Sequence, residues 1–315
     1  MTGWPRAANV ECVEAWTGAR RAVRAAAAVA LAAGTVAADP LAIEVRARAI
    51  APGEPLRVVV TSAVPLDAVE ADLRDDPLHL LLDDAGAGGG RRWAGWALVP
   101  LDAPAGDAVL EVHGRALDGS AVEARRTLVV ESRSFPEERL AVAAAYVEPP
   151  LEVRERLARE RVLLEQVYGA RAPFPLPDEA FVRPVPGEPT SVFGTRRLFN
   201  GQPRDPHPGI DLRAAPGTPV RAAGPGRVAL ARDLYYSGNT VLVDHGGGMF
   251  TVYAHLSSLQ VAEGAEAAAG QVIGLSGSTG RVTGPHLHWG AKLGERPFDP
   301  TALLDPALWG GPTSR

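Results

Sequence analysis

Apolar and polar positions alternate along much of the chain. Ile43, Val45 and Ala47 are set against Glu44, Arg46 and Arg48, and near the other end His286 and His288 flank Leu287. A period of two is that of a half-buried strand. Between residues 39 and 133 the pattern predicts short strands at Val58–Val60, Leu78–Leu82, Trp93–Val99, Val109–Val112 and Thr127–Val130, punctuated by Pro52-Gly53, Asp83-Asp84-Ala85-Gly86 and Asp118-Gly119. Short strands closed by Gly and Asp turns predict an antiparallel, immunoglobulin-like β-sandwich. His79 and His113 stand alone in this region and read as solvent-facing or structural.

One stretch changes period. From Leu151 to Tyr168 the apolar residues Val153, Leu157, Leu164 and Tyr168 fall on one helical face, Glu152–Arg156 and Glu155–Arg159 can pair outside, and Gly169 offers a left-handed stop. Residues 134–180 therefore read as a helical connector followed by a Pro-rich linker. From residue 181 to 305 the period of two returns, with strands expected at Val220–Ala222, Gly226–Ala231, Thr240–His245, Phe250–His255, Val272–Leu275 and His286–Ala291. Residues 306–315 read as a tail. The fold class is mainly β, in two modules.

Composition narrows the function. With 46% hydrophobic and 22% charged residues over 315 positions, the chain has enough apolar material for two cores and is not disordered throughout. The 34 Gly and 28 Pro follow no fixed period, which excludes collagen and favours tight turns. A net charge of −5 argues against a nucleic-acid partner held by bulk charge. The acidic excess lies between residues 39 and 189, whereas the chain from Thr190 onward is slightly basic, as two modules with different tasks would be. Residues 1–38 read as an export signal: Arg20, Arg21 and Arg24 precede the apolar run Ala25–Ala33, and Val36-Ala37-Ala38 suits cleavage before Asp39. Cys12, the single cysteine, lies upstream of that cut, so the mature chain would have no thiol in an oxidising compartment. The expected location is the periplasm or cell envelope.

Five of the seven histidines fall in the last module: His207, His245, His255, His286 and His288. In His207-Pro208-Gly209-Ile210-Asp211 the Pro and Gly disfavour a helix, and in an extended segment positions i and i+4 share a side. An imidazole and a carboxylate can then converge. In Gly284-Pro285-His286-Leu287-His288 the two imidazoles share one strand face, and Tyr253-Ala254-His255 ends another strand. A catalytic zinc takes three protein ligands and keeps one position open for water. His207, Asp211 and one of the pair His286/His288 would complete such a set, leaving the other histidines to take and return a proton.

These motifs and their surroundings resemble the lysostaphin/LytM-type zinc endopeptidases. The likeness runs from about Pro184 to Pro300 and includes Ser191-Val192-Phe193-Gly194-Thr195-Arg196-Arg197, Phe199-Asn200-Gly201, Ala214-Ala215-Pro216-Gly217-Thr218-Pro219-Val220, Gly238-Asn239 and Gly270-Gln271-Val272-Ile273-Gly274, in that order around the His/Asp motifs. The resemblance implies an antiparallel sheet with a groove and one zinc per chain held by His207, Asp211 and His288. It implies that His255 and His286 activate the water, and that the substrate is peptide in bacterial peptidoglycan, either stem peptides or cross-bridges. The function expected is an exported zinc metalloendopeptidase using metal-activated water. The rival is a non-hydrolytic wall-binding module or an activator of another wall hydrolase, and an intact ligand set speaks against it. His245 matches no ligand and reads as a turn residue near the groove. The stretch from Asp39 to Pro189 is expected to restrain or position the catalytic module, with other envelope proteins as further partners, and its Pro-rich joint reads as a hinge. The sequence leaves the oligomeric state open.

Overall fold

The computed structural model describes residues 40–83, 91–141, 149–170 and 176–311; the expected export signal lies outside them. Seven antiparallel strands come first: β1 (Leu41–Arg46), β2 (Pro55–Ser62), β3 (Leu66–Leu73), β4 (Asp76–Asp83), β5 (Arg91–Leu98), β6 (Gly106–Ala116) and β7 (Ala121–Val130). They join in the order β1-β2-β5-β4-β3-β6-β7. The two faces of the expected sandwich are two halves of one curled, barrel-like sheet. β4 links them, pairing with β3 through Asp76–Leu78 and with β5 through His79–Asp83. The far ends approach each other, and Arg126 of β7 donates to the Ile43 carbonyl of β1 at 2.9 Å. β3 escaped the sequence pattern because Asp67, Glu70 and Asp72 interrupt its apolar positions. Its buried residues Leu66, Ala71 and Leu73 nevertheless enter the core with Leu56, Val58, Leu110 and Val112.

The connector is more than helix and linker. β8 (Glu137–Leu140) pairs in parallel with β10 (Arg196–Phe199), and β11 (Gln202–Arg204) completes that small sheet. The helix then runs from Leu151 to Gly169, where the pattern placed it. Its end differs from expectation. Gly169 is the last helical residue, and the N–H of the extended Ala170 closes the helix on the Gln166 and Val167 carbonyls. Of the expected pairs, Glu155–Arg159 forms at 3.6 Å, while Arg156 turns to Glu160 and to Asp233 of the next module.

The C-terminal module is built on a ten-stranded sheet containing β9 (Pro189–Ser191), β12 (Gly209–Leu212), β13 (Pro219–Arg221), β14 (Gly226–Leu234), β15 (Gly238–Asp244), β16 (Met249–Leu259), β17 (Glu266–Ala267), β18 (Val272–Ser276), β19 (Leu287–Leu293) and β20 (Arg296–Phe298). Its main path runs β17-β14-β15-β16-β19-β12-β9. Every segment expected to be a strand here is one, give or take a few terminal residues.

The hinge expected at the Pro-rich joint is replaced by a shared core. Trp96 and Leu98 of β5 are buried in the same cluster as Phe181, Phe193, Leu303 and Trp309. Trp309 lies edge-on to Trp96 at 5.6 Å and stacks on Phe181 at 5.3 Å. The final helical turn Pro306–Trp309 is thus core, not tail. Gly247, at φ 61°, shows how close the modules come, because a Cβ there would lie 3.1 Å from the Trp96 ring and 2.4 Å from Leu176. A ring of four charges closes the rim: Arg48 and Arg133 each reach both Glu54 and Asp299, at 2.5 to 3.1 Å. A chain beginning at Phe181 would lose Trp96, Leu98 and Leu176 from this core and Arg48, Glu54 and Arg133 from the rim. Among the described residues no helix is long and apolar enough to cross a membrane.

Candidate metal centre

The site lies on one face of the C-terminal sheet, where β12 and β19 run side by side. Asp211 is paired with His288 in the antiparallel register, and β16 places Ala254 opposite His288 on the other side. His207 stands two residues before the start of β12. The glycine between His207 and Asp211 is required by packing, since a Cβ on Gly209 would sit 2.4 Å from the Trp289 carbonyl oxygen and 2.9 Å from the His288 ring. His207, Asp211, His255, His286 and His288 all line one cavity of about 510 Å³.

Three donor atoms converge. His207 Nε2, Asp211 Oδ1 and His288 Nδ1 stand 2.9 to 3.1 Å apart. His207 Nδ1 is 3.1 Å from the Val192 carbonyl, so Nδ1–H donates there and Nε2 keeps its lone pair for the centre. Such an outer partner sets the tautomer of a metal-binding histidine. The other Asp211 oxygen accepts from Arg197 at 2.8 Å, and Arg197 also reaches the Ser191 hydroxyl. Two imidazole nitrogens and a carboxylate oxygen, open on one side to a cavity, form a donor set that suits zinc.

The remaining histidines face this centre without joining it. His286 Nδ1–H donates to the Gly284 carbonyl at 2.8 Å, and its Nε2 lies 3.6 Å from Asp211 Oδ1. His255 Nδ1–H donates to the Thr279 carbonyl at 2.9 Å, and its ring lies 4.9 Å from that of His286. His255 is held at φ 64°, a left-handed conformation costing a β-carbon residue roughly 1–2 kcal/mol. Its N–H bond to the Ser237 carbonyl, 2.8 Å, helps to hold it there. Backbone strain of this kind is kept where a side chain must be aimed.

Burial shapes the charges. It lowers the His207 pKa to about 4, the Asp211 contact opposing it, and lowers that of His255 to about 3 with help from the neighbouring His288 and His286. Burial alone would raise the Asp211 carboxyl, but the close contacts with His207 and His288 outweigh it and hold the group well below the usual range. At neutral pH the centre therefore presents a carboxylate with neutral His207 and His255 beside it.

His245 is elsewhere. Instead of edging the groove it is buried on the core side, against Phe181, with Nδ1–H donating to the Pro225 carbonyl at 2.6 Å and Nε2 2.7 Å from the Thr251 hydroxyl. On the N-terminal sheet, His79 is exposed as expected. His113 lies with Asp72 and Glu111 in a second group close enough to share a cation, but Glu111 is already paired with Arg125 at 3.2 Å. Among the described residues none of β1–β7 lines this cavity, whereas Leu140, Ala141, Leu164 and Tyr168 of the connector do. Arg197 and Lys292 were missed as site residues. Arg197 stands in the Ser191–Arg197 string without a pattern of its own, and Lys292 was reachable by continuing the period of two past His286, His288 and Gly290.

A model of peptidase family M23 matches residues 205–300. The C-terminal module is an M23 peptidase domain. Over 111 residues the chain is 46% identical to the peptidoglycan DD-endopeptidase ShyA of Vibrio cholerae, a match covering 35% of this chain and 26% of that protein. Over 100 residues it is 45% identical to the DD-carboxypeptidase/endopeptidase Mpg of Neisseria meningitidis, covering 32% of this chain and 23% of that one. The matched part thus spans about a quarter of these relatives' own length. The crystal structure of a protein from Pseudomonas aeruginosa described as an M23 peptidase superposes with a TM-score of 0.58 at 29% identity, covering 81% of this chain and 95% of that one. That coverage exceeds the M23 domain and takes in much of the N-terminal part as well.

Proposed function

We propose that the chain is a zinc metalloendopeptidase of the cell envelope that hydrolyses peptide bonds in bacterial peptidoglycan, with one zinc held by His207, Asp211 and His288. The observation that carries this reading is the convergence of three donor atoms on one point at the floor of an open groove. The peptidoglycan endopeptidase names of the M23 relatives support the substrate class. Zinc, when bound, would lower the pKa of water to about 7 and polarise the scissile carbonyl. The protein's own residues divide the rest. Arg197 holds the second oxygen of Asp211, so that the first is presented to the centre. His255 and His286 each keep Nε2 unprotonated because Nδ1–H is committed to a backbone carbonyl, which leaves a base on the groove side of each ring. One of them accepts the proton of the attacking water, and its protonated form returns a proton to the departing amine. The sheet beneath supplies an extended floor, and a peptide would lie over the face of β19 that carries His288.

The reading is tested by incubating zinc-loaded protein with purified peptidoglycan and weighing the released fragments by mass spectrometry. Peptides cut within stems or cross-bridges are expected. His286→Ala and His255→Ala should abolish turnover with zinc retained, and His207→Ala should lose zinc as well. A zinc-loaded protein that binds peptidoglycan and releases nothing would favour the wall-binding or activator reading instead.

A further inference from the structure

Lys292 is the chain's single lysine, and it lies in the groove. It shares a strand face with His288 and Gly290 on β19, four residues beyond His288. At about 3.3 Å per residue this is roughly 13 Å along the groove floor. Leu242 and Val252, which pack with Tyr168 in one apolar cluster, line the same cavity. No carboxylate of the described residues lies within ion-pair distance of it. The contact it makes is with the ring of Tyr168, whose centroid is 4.4 Å from Nζ. Tyr168 is itself fixed, packed edge-on against Phe250 at 5.3 Å. Burial lowers the Lys292 pKa, with Glu295 opposing only through the longer-range field.

A half-buried ammonium that keeps three N–H donors and has no anionic partner is costly unless something else supplies the anion. Arg48 and Arg133 each hold two carboxylates and Arg197 holds Asp211, whereas the buried Arg57 has no carboxylate and instead donates to the Pro177 carbonyl at 2.7 Å between the rings of Trp96 and Trp309. Lys292 shares with Arg57 the lack of a carboxylate, but it lines the cavity of the candidate metal centre, where a ligand can reach it.

We infer that Lys292, backed by Tyr168, is a carboxylate-binding subsite of the groove, selecting peptides with a free carboxylate three to four residues from the bond cut. The inference rests on the peptidase reading above and assigns its substrate a charge and a position. An extended peptide advances about 3.3 Å per residue, so a strand laid along β19 with its scissile carbonyl at the metal centre puts such a group near Nζ. The cation–π contact offsets part of the desolvation of Lys292 while leaving its N–H groups to the ligand. Tyr168 is a positioning residue in this account.

The test uses the full chain carrying His286→Ala, zinc-loaded, so that binding is measured without turnover. Calorimetry compares two synthetic stem-type peptides that differ only in a free carboxylate or its carboxamide at that position. The acid form should bind about 10- to 100-fold more tightly, and the preference should weaken with added salt. Adding Lys292→Met should bring both peptides to the carboxamide's affinity, and Lys292→Arg should restore much of the preference. Zinc content and melting temperature verify that each variant is folded. If Lys292→Met does not fold, the acid/amide comparison at unaltered Lys292 still decides. Equal binding of the two peptides without Lys292→Met, or a preference that survives Lys292→Met, overturns the subsite. Failure of the peptidase reading is distinguishable, because it shows as absent cleavage by the protein with His286 intact, whatever the binding preference.

Discussion

Two buried clusters of charge sit in this molecule and do opposite things. At the seam between the modules, Arg48, Arg133, Glu54 and Asp299 answer one another, two cations to two anions, each guanidinium reaching both carboxylates. Nothing is left over, and the ring ties the N-terminal sheet to the C-terminal core. At the floor of the groove, Asp211 meets His207 and His288 with one lone pair of each turned towards the same point. Those three atoms cannot satisfy one another, because His207 carries its proton on Nδ1, so its Nε2 and the Asp211 oxygen are both acceptors and at most one proton, on His288 Nδ1, lies between them. The clamp and the proposed metal centre therefore differ in the count of donors and acceptors. His245 makes the same point among the histidines: buried like His207 and His255, it finds a partner for each nitrogen and has none to offer a ligand.

If this distinction holds, damage at the two clusters should be separable. The largest effect is expected for Asp211→Ala, which removes a ligand and its charge. Zinc measured by mass spectrometry should fall from about one per chain to near zero, and peptidase activity should vanish with it, while the M23 domain stays folded. Asp299→Ala should do the reverse. It leaves Arg48 and Arg133 short of a partner in the seam and should cost about 3–5 kcal/mol of stability in urea unfolding, with zinc content unchanged in the folded fraction.

The buried histidine away from the metal centre predicts a pH effect. His245 has a folded pKa of about 4, lowered by burial, against about 6.5 in the unfolded chain. The unfolded state therefore binds the extra proton first, so stability contributed by this group is intact above about pH 6.5 and falls as the pH drops towards 4. The loss should reach about 3 kcal/mol. Melting temperature followed across that window should show the decline, and His245→Gln should make it shallower by this group's share, leaving the part due to His207 and His255. The smallest effect is expected at Arg197→Met. The ligands remain, but Asp211 loses the contact that orients it, and zinc affinity measured by chelator competition should drop about 10- to 100-fold.

Much of this was legible in the residues. The strands of the C-terminal module follow from alternation, the helix from Val153, Leu157, Leu164 and Tyr168, and the histidines to watch from their spacing. β3 was hidden because its acidic residues break the alternation, although they face solvent only once the sheet has curled. The connector strand β8 was hidden for a different reason: Glu137-Glu138-Arg139-Leu140 has no strand character of its own and is recruited by pairing with β10.

Alternation, turn residues and the His/Asp spacings are local properties, and they determined the mainly β class, the position of the helix and the small set of residues able to hold a metal. Which atoms meet is not local. Strand register set Asp211 beside His288 and turned Lys292 towards the groove, and the pairing of distant segments brought Trp96 against Trp309 and Arg133 against Asp299. Those contacts join residues up to about two hundred positions apart in the chain, where no periodicity reaches, and only the burial of a common core decides them.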